Sequence, residues 1–391
     1  MSENFRVETR QWLESNCPQS MRTPMPENEI VWGGSRETFK NPDSKIWLER
    51  MVAKGWTAPE WPKEYGGAGL SPQEGQILRE EMSRLSCRSP LYSFGIWMLG
   101  PVLLKYGNEE QKRNHLAKIV QGEIRWCQGY SEPEAGSDLA SLQTRAELTE
   151  QGFIINGHKV WTSYADHSDW IFCLVRTDPK VAKQQGISFL LIDMNQDGVK
   201  AEPIRLISGA SPFCEVFFKD AVAAKENLVG PLNGGWQIAK DLLTHERQMI
   251  SAMGLKAEDI SMEGYCKQRF LHSPNQQIDP VFRDRLAAYH MDNLAFQLTI
   301  EREVALQKAG HSPGPASSMF KLYGTELNKR KYELMMDAAG FAGLCWESDP
   351  ASDQQDWQMT RDWLRSKGNS IEGGTSEVQL NVIAKRVLGL P

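Results

Sequence analysis

The chain has 391 residues, 40% hydrophobic and 24% charged, with a formal net charge of −6. A chain of that length buries a large core and spreads over two or three structural units, and no apolar run approaches the ~20 residues of a membrane span. The acidic balance speaks against a nucleic-acid binder, which needs a basic surface to displace phosphate counterions.

The opening, Met1-Ser2-Glu3-Asn4-Phe5-Arg6, carries an acid and no apolar stretch, against a secretory or mitochondrial leader. Residues 1–124 read as helix. Ser44 to Ala53 places Trp47, Leu48, Met51 and Val52 on one face, with Asp43 as its predicted cap and Gly55 as its end. Trp56 to Gly69 is rich in Pro and Gly and predicts turns, and helix resumes over Gln73–Leu85 and Glu109–Val120. From about Trp126 the period shortens. Phe153 to Trp161 predicts a hairpin, because its Asn156-Gly157 pair tolerates the positive φ angles of a tight turn. Trp170–Val175, Ile187–Met194 and Cys214–Phe218 predict further strands, and together these predict a small sandwich or barrel over 125–229. Residues 230–391 return to helix, with long amphipathic stretches at Pro280–Lys308 and Ala316–Ala339 and a polar loop at Glu347–Gln358. The last helix carries a capping-box pattern, Ser376 with Gln379. Seven scattered cysteines, none spaced C-x-x-C, suit reduced thiols in a cytoplasm. The histidines have no zinc-ligand spacing, and no metal site is expected.

Chemistry concentrates in a few segments. Gly129-Tyr130-Ser131-Glu132-Pro133-Glu134-Ala135-Gly136-Ser137-Asp138 is dense in turn formers. Its hydroxyls and the backbone N–H groups around Gly136 could serve a heteroaromatic edge or a phosphate, or form a plain surface loop. The segment resembles the Thr/Ser-Glu-Pro-x-Ala-Gly-Ser-Asp signature of the acyl-CoA dehydrogenases. Lys159-Val160-Trp161-Thr162-Ser163 resembles their second flavin segment, and Ser370-Ile371-Glu372-Gly373-Gly374-Thr375-Ser376-Glu377 their active-site loop and last helix. Gly55 to Pro59, Pro62 to Gly67 and Ala384 to Gly389 also fit, so the matches run in family order over essentially the whole chain.

The resemblance implies an α+β multidomain fold: an N-terminal helical domain (1–124), a central β-barrel or sandwich domain (125–229) and a C-terminal four-helix bundle (230–391). It implies FAD, with Tyr130 and Ser131 along the flavin, Trp161 packed on it and Ser163 near its reactive edge. Gly136, Thr162, Thr375 and Glu377 are implied as further cofactor contacts. Ser137 is implied at both the cofactor and the pantetheine arm of an acyl-CoA, with Arg247 and Gly373 on the substrate. Without that context, a Trp on a strand is more often core. The implied reaction is α,β-desaturation of the thioester. A carboxylate of raised pKa takes the α-proton, donors polarise the carbonyl, and the β-hydride passes to flavin N5. Electrons then leave to an electron-transferring flavoprotein.

The position of the base departs from the common pattern. There a Glu directly precedes Gly-Thr; here that slot is Gly373, and Glu372 stands one residue early. One residue re-aims a side chain by about 100° on a helix and to the opposite side in extended chain. Some branches, including isovaleryl and long-chain types, place the base just before an Arg on the helix that here follows Gly234-Gly235-Trp236. Glu246-Arg247 matches that arrangement, so Glu246 is the expected base and Glu372 the alternative. A lone helical Glu otherwise pairs with a nearby cation.

The segments that serve a neighbouring subunit's FAD also differ. The usual Arg-x-x-Phe-Gly is replaced by Lys267-Gln268-Arg269-Phe270-Leu271-His272-Ser273-Pro274, and Gln-x-x-Gly-Gly-x-Gly by Asp337-Ala338-Ala339-Gly340-Phe341-Ala342-Gly343. An acid facing a pyrophosphate is repulsive. This pattern resembles the large subunits of two-gene dehydrogenases of the pimeloyl-CoA and steroid side-chain kind. It implies a heterotetramer with a small dehydrogenase subunit, in preference to a homo-oligomer, and a bulky, branched, cyclic or dicarboxylic acyl group. An acyl-CoA oxidase, a nitroalkane-oxidase-like enzyme and a non-catalytic subunit are the open alternatives.

Overall fold

A computed structural model describes residues 2–243, 262–271, 279–308, 316–347 and 354–391. The chain divides into two compact units, Met1–Ile204 with Pro212–Leu242, and Arg205–Ser211 with Leu243–Pro391.

The first unit begins with α1 (Ser2–Asn16), α2 (Pro42–Ala53), α3 (Pro72–Arg84), α4 (Gly100–Tyr106) and α5 (Glu109–Gln121). Trp47, Leu48 and Met51 of α2 are buried, as their spacing predicts, and Gly55 follows with a left-handed φ of +67°. The cap is Asn41 rather than Asp43. Pro42 starts the helix two residues earlier than expected, at a position where its missing N–H is no loss, and the Asn41 side chain accepts from the Asp43 N–H. Asp43 instead accepts from the Ser20 hydroxyl.

Eight strands follow: β1 (Trp126–Gly129), β2 (Arg145–Leu148), β3 (Phe153–Ser163), β4 (Trp170–Arg176), β5 (Ile187–Asp193), β6 (Val199–Ile204), β7 (Phe213–Ala223) and β8 (Leu228–Val229). They form one sheet in the order β6-β7-β3-β2-β4-β5-β8, with β1 parallel to β4. Phe153, Ile155, Ile171, Leu190 and Val216 build its core.

The predicted hairpin at Asn156-Gly157 does not form, and β3 runs unbroken through it. The turn lies earlier, between β2 and β3, where the Thr149 N–H donates to the Gly152 carbonyl at 2.7 Å. Asn156-Gly157 marks a bulge: pairing with β7 slips between Ile155 and Gly157, and a Cβ on Gly157 would strike Thr144. Asn156 closes the irregularity by exchanging two hydrogen bonds with Asp220, at 3.0 and 2.9 Å. A further helix, α6, begins at 235 and runs through 243, the last described residue of that stretch.

The second unit holds α7 (Met262–Leu271), α8 (Pro280–Lys308), α9 (Ala316–Ala339), α10 (Gln354–Ser366) and α11 (Ser376–Val382). Tyr265, Phe282, Tyr289, Leu327, Leu334 and Met359 share its core. Both α8 and α9 have the expected bounds. The loop expected over Glu347–Gln358 is cut short by α10, whose polar first turn precedes its inward residue Met359. Thr375, not Ser376, caps α11, accepting from the Val378 N–H at 3.2 Å. Gln379 is fully buried and turns back to the carbonyls of Gly373 and Gly374 at 3.1 and 3.3 Å. Among the described residues no helix is long and apolar enough to cross a membrane.

Candidate active site

In the first unit the site grows from an irregularity in β3. Phe153, Ile155 and Lys159 point inward on alternate positions, and a period of two would bury Trp161 as well. Instead, pairing with β7 slips between Lys159 and Thr162, and Trp161 takes a left-handed φ of +60°. The parity reverses. Trp161 is 55% exposed, its edge set against Phe213, while Thr162 is wholly buried. A left-handed non-glycine residue costs about 1–2 kcal/mol, the kind of strain held at ligand sites. Thr162 Oγ1 is buried with no hydrogen-bond partner among the described residues. Ser163 is half-buried, and Tyr164 is again left-handed at φ +53°.

The turn from Tyr130 to Asp138 is tied to this bulge by Lys159. That side chain is fully buried; its Nζ donates to Glu132 Oε1 at 2.7 Å and to the Tyr130 carbonyl at 3.1 Å. The Val160 N–H donates to the Ser131 carbonyl at 2.9 Å. Glu132 also accepts from the backbone N–H groups of Gln143 (2.6 Å) and Thr144 (2.9 Å). Burial pushes the Glu132 carboxyl up, but Lys159 and these donors outweigh it and hold the group below the usual carboxylate range. Glu132 and Ala135 exchange backbone hydrogen bonds, with Pro133 at the turn position its fixed φ suits.

Tyr130 is buried, edge-on to Phe172 at 6.4 Å. Gly136, Ser137 and Asp138 are exposed, and a Cβ on Gly136 would meet nothing within 4 Å. An open indole, an orphaned hydroxyl and an uncrowded turn suit a flat heteroaromatic group. Sequence reasoning missed Lys159 and Glu132 as site residues. The available signal was a lysine at an inward position of an apolar strand, which needs a buried partner.

In the second unit, Glu372 is held by a cation. Its Oε2 lies 2.7 Å from Arg365 Nη2 and its Oε1 3.4 Å from Nη1, with Asn369 Nδ2 donating to Oε1 at 2.6 Å. Helix α9 grips the same turn. Lys321, 1% exposed, donates to the Asn369 carbonyl at 3.0 Å, and Asn328 Nδ2 to Asn369 Oδ1 at 2.9 Å. Burial pushes the Lys321 ammonium down, with Glu372, Glu326 and Glu377 pulling it partly back. Gly373 and Gly374 have φ of +65° and +93°, so the slot where the family commonly carries its base is a left-handed position. Glu377 is exposed in the first turn of α11, where its own N–H and the Thr375 hydroxyl hold its carboxyl low. The acid at Asp337 is not bare: Arg285 Nη1 lies 2.6 Å from it. Glu246 and Arg247, like His272, Ser273 and Pro274, lie outside the described residues.

Comparison with known proteins agrees along the whole chain. Residues 4–123, 127–221 and 233–388 match the N-terminal, middle and C-terminal domains of acyl-CoA dehydrogenase in that order. Acyl-CoA dehydrogenase IpdE1 of Mycolicibacterium smegmatis is 35% identical, covering 100% of this chain and 98% of its own. A solved Tcur3481-Tcur3483 steroid ACAD superposes with a TM-score of 0.77 at 28% identity, over 100% of this chain and 97% of that one. The ChsE4-ChsE5 complex from Mycobacterium tuberculosis gives 0.74 at 28% identity, over 100% and 97%. The chain belongs to the acyl-CoA dehydrogenase family.

Proposed function

We propose that this chain desaturates an acyl-CoA thioester between its α and β carbons, with FAD as cofactor, Glu246 as base and an electron-transferring flavoprotein as electron acceptor. The observation that carries the reading is the cradle at the β3 bulge, where strain at Trp161 presents an indole and the buried Thr162 hydroxyl has no partner among the described residues. FAD, when bound, supplies the acceptor for the β-hydride. The chain's own residues do the positioning. Lys159 and Glu132 fix the turn carrying Tyr130 and Ser131, Trp161 offers a stacking face, and Thr162 and Ser163 offer hydroxyls. Gly136 and Ser137 leave an open edge for the pantetheine arm.

The proton step needs a carboxylate whose pKa desolvation can raise. Glu372 suits this poorly, because Arg365 at 2.7 Å and Asn369 at 2.6 Å already occupy its oxygens. Glu246, immediately before Arg247, is the carboxylate we assign to the task.

The assembly we favour is a heterotetramer of two large and two small chains. Two similar structures carry paired names, Tcur3481-Tcur3483 and ChsE4-ChsE5. The first is named a steroid ACAD, which favours a bulky cyclic acyl group here. The test is anaerobic mixing of the co-expressed, FAD-loaded complex with saturated acyl-CoA thioesters, including cyclic ones. Bleaching of the flavin absorbance with appearance of the α,β-enoyl-CoA is expected. A complex that holds FAD and is bleached by none of them would overturn the reading, and reoxidation by oxygen at the rate of turnover would make it an oxidase.

A further inference from the structure

The first unit holds a second cluster that desaturation leaves unused. Trp32 meets Tyr92, Phe94, Trp97 and Tyr164 at ring-centroid distances of 5.9, 5.6, 6.3 and 4.9 Å. All five rings are half-buried, so each keeps part of its surface open. Their backbone is irregular: Trp97 lies in the π-helical turn Gly95–Leu99, and Tyr164 is left-handed. Such distortions recur where a side chain is aimed for function.

Arg125 lies over this group, its Cζ 5.0 Å from the Trp32 ring and 5.3 Å from that of Tyr164. The acids around it are engaged elsewhere. Glu37 accepts from the backbone N–H groups of Trp32 (3.0 Å), Gly33 (2.8 Å) and Thr38 (2.9 Å). Asp169 accepts from Ser35 and from Arg125's own backbone N–H, the latter at 2.8 Å. Asp166 is taken by the Cys214 thiol (3.3 Å) and His167 (3.4 Å). Burial pushes the Arg125 guanidinium down, and the charge of Glu37 leads the groups that pull it back. Cation–π contact with two rings leaves the guanidinium's N–H fork without acceptors among the described residues.

We infer that Arg125, framed by Trp32 and Tyr164, is a specificity-determining residue that binds a carboxylate at the far end of the acyl group. The inference rests on the acyl-CoA reading above. Tyr164 directly follows Ser163, the residue assigned beside the flavin's reactive edge, so an acyl group presenting its β-carbon there extends toward the aromatic cluster. The rings take the apolar body, and the guanidinium meets the terminal oxygens in a planar fork. A tail ending in methyl would desolvate the same guanidinium without compensation, and a site built around a polar partner rejects the analogue that lacks it.

The test uses the FAD-loaded complex and calorimetric binding of mono-CoA thioesters of dicarboxylic acids, each paired with the monocarboxylic thioester of equal length. The wild type should bind at least one dicarboxylic thioester about tenfold or more tightly than its methyl-ended counterpart. Arg125→Met should bring that ratio to about one by weakening only the dicarboxylic member, with flavin content unchanged. Should the Met variant not fold, Arg125→Lys carries the test, since it keeps the charge, loses the fork and should lower the ratio part of the way. No preference at any length, or a ratio untouched by both substitutions, overturns the inference. Preference for a neutral ω-keto acyl-CoA over the carboxylate overturns the assignment of the bound group. If no thioester binds at all, the acyl-CoA reading fails and this inference with it.

Discussion

Arg365 on α10 and Glu372 form a forked ion pair, at 2.7 and 3.4 Å, that ties down the turn where acyl-CoA dehydrogenases commonly carry their base. A carboxylate held this way serves the turn. Glu246→Gln is therefore expected to lower turnover by about 10²–10⁴-fold while keeping FAD and acyl-CoA binding. Glu372→Gln should leave turnover within about tenfold of wild type and lower the melting temperature, because Arg365 loses its charged partner. Steady-state kinetics and melting curves of the two variants decide the matter, and a reversed ranking returns the base to Glu372.

Lys159→Met should destabilise the first unit by about 3–5 kcal/mol and loosen FAD, since it leaves the buried Glu132 carboxylate without its cation. The pH dependence has a defined sign. In the wild type the Glu132 carboxyl is held low, so its contribution is complete above the unfolded value near 4.3 and fades as pH falls through the folded one. Without Lys159, burial raises that carboxyl instead, and the penalty is relieved as pH falls. The stability gap between variant and wild type should be smaller at pH 5 than at pH 7 in urea denaturation. A gap that widens toward acid would show that Glu132 is not the group involved.

His115, on α5, lies edge-on to Trp126 and Trp170, each at 5.3 Å. Burial, helped by repulsion from Lys118, pushes its imidazole down to about 4. Its stabilising contribution is therefore complete above about pH 6.5 and is lost as pH falls toward 4, a range worth about 3 kcal/mol. His115→Phe should flatten that part of the stability curve. An unchanged slope between those limits would assign the acid sensitivity to other groups.

Expressed alone, the chain is expected to hold FAD at low occupancy and to form dimers at most. Co-expression with a smaller dehydrogenase chain should give a heterotetramer with about two FAD, since each mixed interface completes one site. Size-exclusion mass and flavin-to-protein ratio read the outcome, and a fully active homotetramer with one FAD per chain excludes the heteromer.

The long elements were legible. Both α8 and α9 keep their expected bounds, α8 opening at Pro280 and α9 followed by the left-handed Gly340. Local signals failed where tertiary contacts overrode them. Asn156-Gly157 reads as a hairpin turn, yet the close approach of Thr144 makes it a bulge within one strand. Caps were misplaced by one or two residues at Asn41 and Thr375, where a neighbouring Pro or Gly decided the start. The motifs named Trp161 and Thr162, but not which side of the sheet each would take. A slip in register set that, and register is a property of the partner strand β7.

The left-handed backbone at Gly373 makes that slot costly to fill with any side chain. Glycine and glutamate codons lie one base apart, so the missing carboxylate looks one mutation away. Yet a glutamate there would inherit a φ of +65°, at about 1–2 kcal/mol of strain, next to a Gly374 that Gln379 already crowds. Placing a carboxylate in this slot therefore means reshaping the turn as well as changing the codon.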